Sequence, residues 1–285
     1  MTLSLIKHHN LFDEYELNEK NYYKEGIFGK IYTSINKNTN QTVIIKKLSK
    51  FNSIDGWEAS ICSLLKNIQH QNIIRIIDVF EDISNVYIVM EKADNCLRDY
   101  LMNSDQNLPQ ILDSFVQISQ GISCLHSLGI IHRDIKIDNI VYNEKNNKIQ
   151  FKLIDFGLSK IIGSDEYASE TYGIFCYMPP EIIKKLLYNF KVDIWSLGVT
   201  FFVIYKKRLQ FCDNSNKEIG FCDTTQTSMV DLVFNILNRT ITIKPGEDSS
   251  LEEKTIINAI NKCLMKNINN RPNIKDLCKI LSKCS

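Results

Sequence analysis

The run His132-Arg133-Asp134-Ile135-Lys136-Ile137-Asp138-Asn139 gathers a carboxylate, an ammonium and an amide oxygen at short, fixed spacing. Asp155-Phe156-Gly157 follows and adds a second carboxylate on a turn. Asp134 is a carboxylate where a hydroxyl could lose its proton. Asn139 and Asp155 offer hard oxygen donors of the kind that suit Mg²⁺. Together these groups are equipment for moving a phosphoryl group, a reaction that needs positioning and charge neutralisation more than covalent chemistry. Five fixed residue types at this spacing arise by chance in roughly 1 in 10⁴ chains of this size, at ~1/20 per position. A polar loop of accidental composition is therefore the weaker reading.

These residues need a scaffold, and the chain is long enough to build one. It has 285 residues, 44% of them hydrophobic, which supports one large domain or two lobes. A net charge of +1 gives no global field that would favour nucleic acid or a membrane surface. The nine cysteines contain no CxxC pair, and only Cys212 and Cys222 have suggestive loop spacing. That argues against a disulfide framework or a zinc site and for a reducing compartment. The first seven residues make no signal peptide, and the longest apolar run, 199–205, is too short to span a bilayer. A soluble, intracellular protein is expected.

The first third reads as strands. Residues 22–34 and 42–47 carry β-branched and aromatic side chains around Gly26, Gly29 and a polar 36–40 turn. A helix is expected from Asp55, where Asp55 and Glu58 have capping-box spacing and Ile61, Leu64, Leu65 and Ile68 follow at helical period. Strands at 73–80 and 86–90 come next. From Leu97 on, helices dominate: 111–128 is amphipathic, 193–206 is apolar nearly all round, and 255–265 and 274–281 close the chain. A strand-rich part followed by a helical part is an α+β arrangement, and the cleft between two such lobes is a natural ligand site.

In this order the motifs resemble the eukaryotic-type Ser/Thr protein kinase family over nearly the whole chain. Lys24-Glu-Gly26-Ile-Phe-Gly29-Lys-Ile31 resembles its glycine-rich loop, and Val43-Ile-Ile-Lys46 its strand lysine. Residues 132–139 resemble its catalytic loop and Asp155-Phe-Gly157 its metal-binding turn. Pro179-Pro-Glu181, Asp193-Ile-Trp195 and Arg271 stand where the family keeps the framework of its larger lobe, Arg271 pairing with Glu181. The resemblance implies one kinase domain over 1–285, with an N-lobe to residue 92 and a C-lobe from 93. It also implies ATP and Mg²⁺ as cofactors and proteins as substrates. Glycines let backbone N–H groups lie close over phosphates, although Gly26 and Gly29 would also serve a plain hairpin turn. Lys46 would meet the α and β phosphates, Asn139 and Asp155 would hold the metal, and Asp134 would act as base. Lys136 would neutralise the γ-phosphate, and a lysine there resembles the Ser/Thr branch. Met90 would stand at the back of the adenine pocket, with the backbone of Glu91 and Ala93 at its edge. Ile31, Ile44 and Val141 would pack on its faces, and Asp94 would reach the ribose.

The chain departs from the family in several places. Lys24 replaces the first loop glycine, and Ile44 the usual alanine of the strand motif. The helix glutamate that should pair with Lys46 falls, by counting, on Ile61, with Glu58 one turn earlier as the alternative partner. Ile174 replaces a threonine that bonds the catalytic aspartate and lysine. Glu170 occupies the usual phosphosite, where it would stand in for a phosphate toward Arg133 and make the enzyme constitutively active. Ser169 and Thr171 flank it. Asp138 and Glu218 lean toward basic acceptors. Two other readings stand beside the kinase. One is a pseudokinase, a nucleotide-binding or interaction module, favoured by Ile61 and Ile174. The other is a small-molecule kinase, which the 179–181, 193–195 and Arg271 framework argues against. The compact, AT-biased chain fits a gene of a large DNA virus such as a baculovirus.

Overall fold

The computed structural model describes residues 11–17, 22–26, 29–51, 57–163, 166–206, 210–212, 218–220 and 228–284. At 22–26, 210–212, 218–220, Met229 and Cys284 only the backbone enters the description. The chain divides into two compact units between Asp94 and Asn95, two residues beyond the expected boundary.

Unit one holds a five-stranded antiparallel sheet in the order β1-β2-β3-β5-β4. Its strands are β1 (Tyr22–Gly26), β2 (Gly29–Ile35), β3 (Thr42–Ser49), β4 (Ile76–Glu81) and β5 (Asn85–Glu91). The short helix α1 (Leu11–Glu14) precedes the sheet, and α2 (Trp57–Leu65) is inserted between β3 and β4. Side chains alternate across a strand, so β3 sorts its residues by face. Val43 and Ile45 join Leu11, Tyr15, Phe80, Tyr87 and Val89 in one apolar cluster. Ile44 and Lys46 point the other way. Register sets Ile31 opposite Lys46 and Met90 opposite Ile44, so these four share the second face. Gly29 is held at φ +149°, and a Cβ there would come within 2.3 Å of the Lys47 carbonyl on β3. The sheet itself therefore requires glycine at this position.

Unit two is mainly helical. Its elements begin with β6 (Asn95–Cys96), α3 (Leu97–Asn103) and α4 (Leu108–Ser127). The strands β7 (Ile130–Ile131), β8 (Ile140–Lys145), β9 (Lys148–Leu153) and β10 (Lys160–Ile161) follow. The short helix α5 (Pro180–Ile183) then leads into α6 (Lys191–Lys206). A small pair, β11 (Gln210–Cys212) and β12 (Glu218–Gly220), precedes α7 (Met229–Asn238), α8 (Leu251–Cys263) and α9 (Ile274–Leu281). Helix α4 starts at a full capping box: Asn107 and Gln110 each accept the other's backbone N–H at 3.0 Å. α4 packs against α6, α8, α9 and β9. Phe115 and Phe201 stack between α4 and α6, with ring centroids 3.7 Å apart. Every residue of α6 from Val192 to Ile204 is buried, as its all-round apolar sequence predicts. The β8–β9 hairpin turns through Asn146 and Asn147, both at positive φ, the conformation of a type I′ turn.

The strand-then-helix order agrees with the α+β expectation. The helix expected from Asp55 begins at Trp57 among the described residues, and Asp55 and Gly56 lie outside them. So do the first seven residues and Cys222. Six described cysteines are free thiols. Among the described residues no helix is long and apolar enough to cross a membrane.

A buried ion pair ties α5 to the loop before α9. Arg271 donates through Nη1 and Nη2 to the two oxygens of Glu181, at 2.6 and 3.1 Å. The same guanidinium donates to the carbonyls of Lys191 and Met265 and lies 5.2 Å from the Trp195 ring. Both charges are almost fully removed from water. Deleting one partner of such a pair leaves the other charge uncompensated. Arg271→Met is expected to lower unfolding free energy by about 3–5 kcal/mol in urea titrations, with much of that recovered in Arg271→Met/Glu181→Met.

Candidate active site

Each unit holds its own group of charged side chains. In unit one the group is Lys46 on β3 and Glu58 on α2. Lys46 Nζ lies 2.6 Å from Glu58 Oε1, and both side chains are at least nine-tenths buried. The two charges neutralise each other where neither could reach water alone. Glu58, one turn before the counted position, faces the lysine. Ile61 is wholly buried and belongs to the apolar side of α2. Ile31, Ile44 and Met90 are half-buried on the same sheet face as Lys46, with Glu91 and Ala93 at the end of β5 and just beyond it. Glu91 is anchored to Arg75 by two hydrogen bonds: its N–H donates to the Arg75 carbonyl and its carboxylate accepts the Arg75 N–H. Gly26 pairs with Gly29 across the turn of β1 and β2, and Lys24 sits opposite Ile31. Val141 belongs to unit two, on β8. Asp94 is exposed.

In unit two the 132–139 loop is built around a buried carboxylate. Asp193, at the start of α6, is fully buried. It accepts the backbone N–H of His132 at 2.8 Å and of Arg133 at 2.9 Å, and the ring Nε2 of His126 at 2.8 Å. Burial pushes the Asp193 pKa up, but His126 and the His132 amide outweigh it and hold the group below the usual carboxylate range. The same bonds hold Arg133 at φ +65°, a left-handed conformation that non-glycine residues rarely adopt.

That bend carries Asp134 into a ring of donors. Lys136 Nζ lies 2.7 Å from Asp134 Oδ2, and Asn139 Nδ2 lies 2.7 Å from the same oxygen. Asn139 Nδ2 also donates to the Asp134 carbonyl at 2.9 Å. With its nitrogen committed, Asn139 turns its Oδ1 to the other side of the amide, the atom a hard cation binds. Asp155 is a second oxygen donor and is also held at positive φ, +64°. The pair suits Mg²⁺, which is commonly held by one or two protein oxygens together with phosphate oxygens.

Arg133 points toward the segment after Asp155. Its Nε donates to the Leu158 carbonyl and its Nη1 to the Tyr188 hydroxyl at 3.1 Å. Nη1 also lies 3.4 Å from Glu170 Oε2, and the guanidinium covers the Tyr172 ring at 5.0 Å. Lys160 Nζ meets the other Glu170 oxygen, and the Tyr188 hydroxyl donates to the Glu170 carbonyl at 3.0 Å. Partial burial pushes the Glu170 carboxyl up, but the Lys160 ammonium and nearby amides pull it further down, to about 2. Glu170 is thus an anion between two cations at the position read as a phosphosite, with Ser169 and Thr171 exposed beside it.

Gly173, at φ +110°, and Ile174 border a shallow hollow whose wall includes Arg133, Asp134, Tyr172 and Tyr177. Ile174 is 45% exposed. It offers no hydroxyl, and the Asp134 carboxylate takes its donors from Lys136 and Asn139. Asp138, read as a contact for a basic acceptor, gives both oxygens to Arg98 of α3, at 2.7 and 2.8 Å. The Glu218 side chain lies outside the described residues. His126, Lys160, Tyr188 and Arg98 were not singled out from sequence. Each acts through a contact at long separation, and no local pattern marks such a contact.

The sequence matches the family described as protein kinase domain over residues 22–280. It is 30% identical over 241 residues to a probable serine/threonine-protein kinase of Encephalitozoon cuniculi, covering 84% of this chain and 44% of that protein. It is 30% identical over 249 residues to the carbon catabolite-derepressing protein kinase of Saccharomyces cerevisiae, covering 84% of this chain and 37% of that one. Myosin light chain kinase A of Dictyostelium discoideum is 31% identical over 184 residues, 63% of this chain and 62% of that protein. The aligned region thus spans less than two thirds of the length of these relatives.

Glu170 should leave a signature in acid. Its pKa is depressed from 4.5 to about 2, so its contacts stabilise the folded chain fully above the unfolded value and are lost as pH falls through about 2. The difference in unfolding free energy between wild type and Glu170→Gln is expected to be constant above pH ~5 and to shrink between ~4.5 and ~2. Denaturant titrations of both proteins across that range measure it.

Proposed function

The chain belongs to the protein kinase domain family, and from that premise we propose that it is an ATP- and Mg²⁺-dependent kinase that phosphorylates Ser or Thr hydroxyls of proteins. One observation carries this reading: Asp134 is held between Lys136 and Asn139 on a loop fixed by Asp193. A carboxylate so restrained can meet an incoming hydroxyl with little further ordering. Asp134 orients that hydroxyl and takes its proton as the oxygen bonds to the γ-phosphorus and the bond to the β-phosphate bridge breaks. Lys136, beside it, neutralises charge that grows on the transferred group. Lys46, itself aligned by Glu58, binds the α and β phosphates. Asn139 and Asp155 hold the metal, which when bound offsets the negative charge of the phosphates. Ile31, Ile44, Met90 and Val141 supply apolar surface for the adenine, with the backbone of Glu91 and Ala93 at its edge.

Constitutive activity is part of the same proposal. Glu170 meets Lys160 and Arg133, and an anion so paired supports a role in place of an activating phosphate. On this reading the contacts of Glu170 need no modification to form.

The test is transfer from γ-labelled ATP with Mg²⁺ to a mixed protein acceptor. Asp134→Asn is expected to lose at least about 10³-fold in kcat, since base and positioning are removed together. Equal labelling by wild type and Asp134→Asn would instead favour a nucleotide-binding or interaction module. Glu58→Gln is expected to lower kcat/KM by about 10²-fold through misplacement of Lys46, while Ile61→Val leaves it nearly unchanged. Glu170→Ala should lower kcat by about 10-fold, whereas phosphatase treatment of the wild type should have no effect.

A further inference from the structure

We propose that Arg98 is a specificity-determining residue: by occupying Asp138 it withdraws an acid four residues after the Asp134 base from acceptor recognition, so the enzyme does not select basic residues. The proposal rests on the kinase reading above and deepens it.

Position makes the argument. An acceptor must bring its hydroxyl to Asp134, and its flanking residues then pass within one or two extended residues, ~3.3 Å each, of that carboxylate. Asp138 stands on the turn Ile137–Asn139, four residues after Asp134. Its neighbour Asn139 touches the Asp134 carboxylate, and the Asn139 N–H donates to the Lys136 carbonyl at 3.0 Å, closing a tight turn. Tyr177 and Asp134 share the wall of the hollow, and Asp138 directly precedes the Asn139 that touches Asp134. The Arg98–Asp138 pair therefore borders the surface an acceptor would cross.

Chemistry makes the rest. An unpaired carboxylate there would attract an arginine of the acceptor through two parallel N–H···O bonds. Arg98 makes that arrangement internally, with Nε on Oδ1 at 2.7 Å and Nη2 on Oδ2 at 2.8 Å. The side chains are 49% and 39% exposed, so the pair is a surface feature rather than part of the core. A tethered guanidinium acts at an effective concentration of ~mM. An acceptor arginine at micromolar concentration competes poorly with it. Cys96 and Asp99, near Arg98 in sequence, engage each other, with Sγ 3.1 Å from Oδ2.

The experiment uses the full chain and a set of serine peptides in which one arginine is scanned through an otherwise alanine background. Wild type is expected to show kcat/KM values within about 3-fold at every arginine position. Arg98→Ala and Arg98→Gln are expected to gain about 10-fold for arginine at one position, a gain lost in Arg98→Ala/Asp138→Asn. A wild type that already selects arginine by 10-fold and loses this in Asp138→Asn overturns the proposal, and so does a flat profile in both Arg98 variants. If no peptide is labelled above the Asp134→Asn level, the kinase reading fails instead. Equilibrium binding of fluorescent arginine and alanine peptides then decides the role of Arg98: preference in the Arg98 variants alone supports it, and equal preference in wild type overturns it.

Discussion

Asp193 is the constraint on which the second unit depends. A fully buried carboxylate is expensive unless donors surround it, and here two loop amides and a histidine ring do so. The relation is reciprocal. The amides of His132 and Arg133 belong to a backbone bent into the left-handed region, and they stay there because Asp193 takes both. Helix α6 holds the aspartate in turn, through side chains buried from Val192 to Ile204. Core packing is thereby converted into the placement of Asp134, 59 residues before Asp193 in sequence and directly after the bent residue Arg133.

The other charged contacts repeat this logic with different partners. Lys46 and Glu58 fix α2 against β3, and Glu181 and Arg271 fix α5 to the loop before α9. Glu170 holds Lys160 and Arg133 to the segment that follows Asp155. Buried ion pairs of this kind add little net stability compared with apolar substitutes, since desolvation offsets their attraction. Their effect is positional: each specifies which residue faces which. The apolar clusters around Tyr15 and Phe80 and around Phe115 and Phe201 carry stability instead.

Local pattern made much of this legible. The alternation in 42–47, the helical period after Trp57, the unbroken apolar face of 193–206 and the span 274–281 all appear as elements close to the expected bounds. The β8–β9 hairpin is hard to read, because Asn146-Asn147 is a weaker turn signal than Asn-Gly and the strands are half-polar. Helix α1 was missed because its four residues are held by packing against the sheet rather than by propensity. Within the site, the 132–139 loop is a contiguous motif and could be read directly. The glutamate facing Lys46 could be read only as a choice, because counting from a neighbouring loop gives Ile61 while Glu58 lies one turn earlier on nearly the same face. The geometry selects the side chain on the correct face, Glu58, and sends Ile61 into the core. Arg98 and Asp138 are 40 residues apart, and only the fold brings them together.

Ile174 supplies no hydroxyl to the Asp134 carboxylate, and the carboxylate is nevertheless held. A hydroxyl at that position would give Asp134 a further donor. In its absence the Asp134 carboxylate is held by an ammonium and an amide on one oxygen. Both donors come from the same short turn, so their geometry is set by local backbone and not by the segment that carries Ile174. Restraint of the Asp134 carboxylate is thus separated from whatever the 166–178 segment does. What Ile174 changes is the wall of the hollow beside Asp134, where a half-exposed aliphatic side chain replaces a polar one. The substitution therefore alters the surface of the hollow and leaves the Asp134 carboxylate with both donors of its own turn.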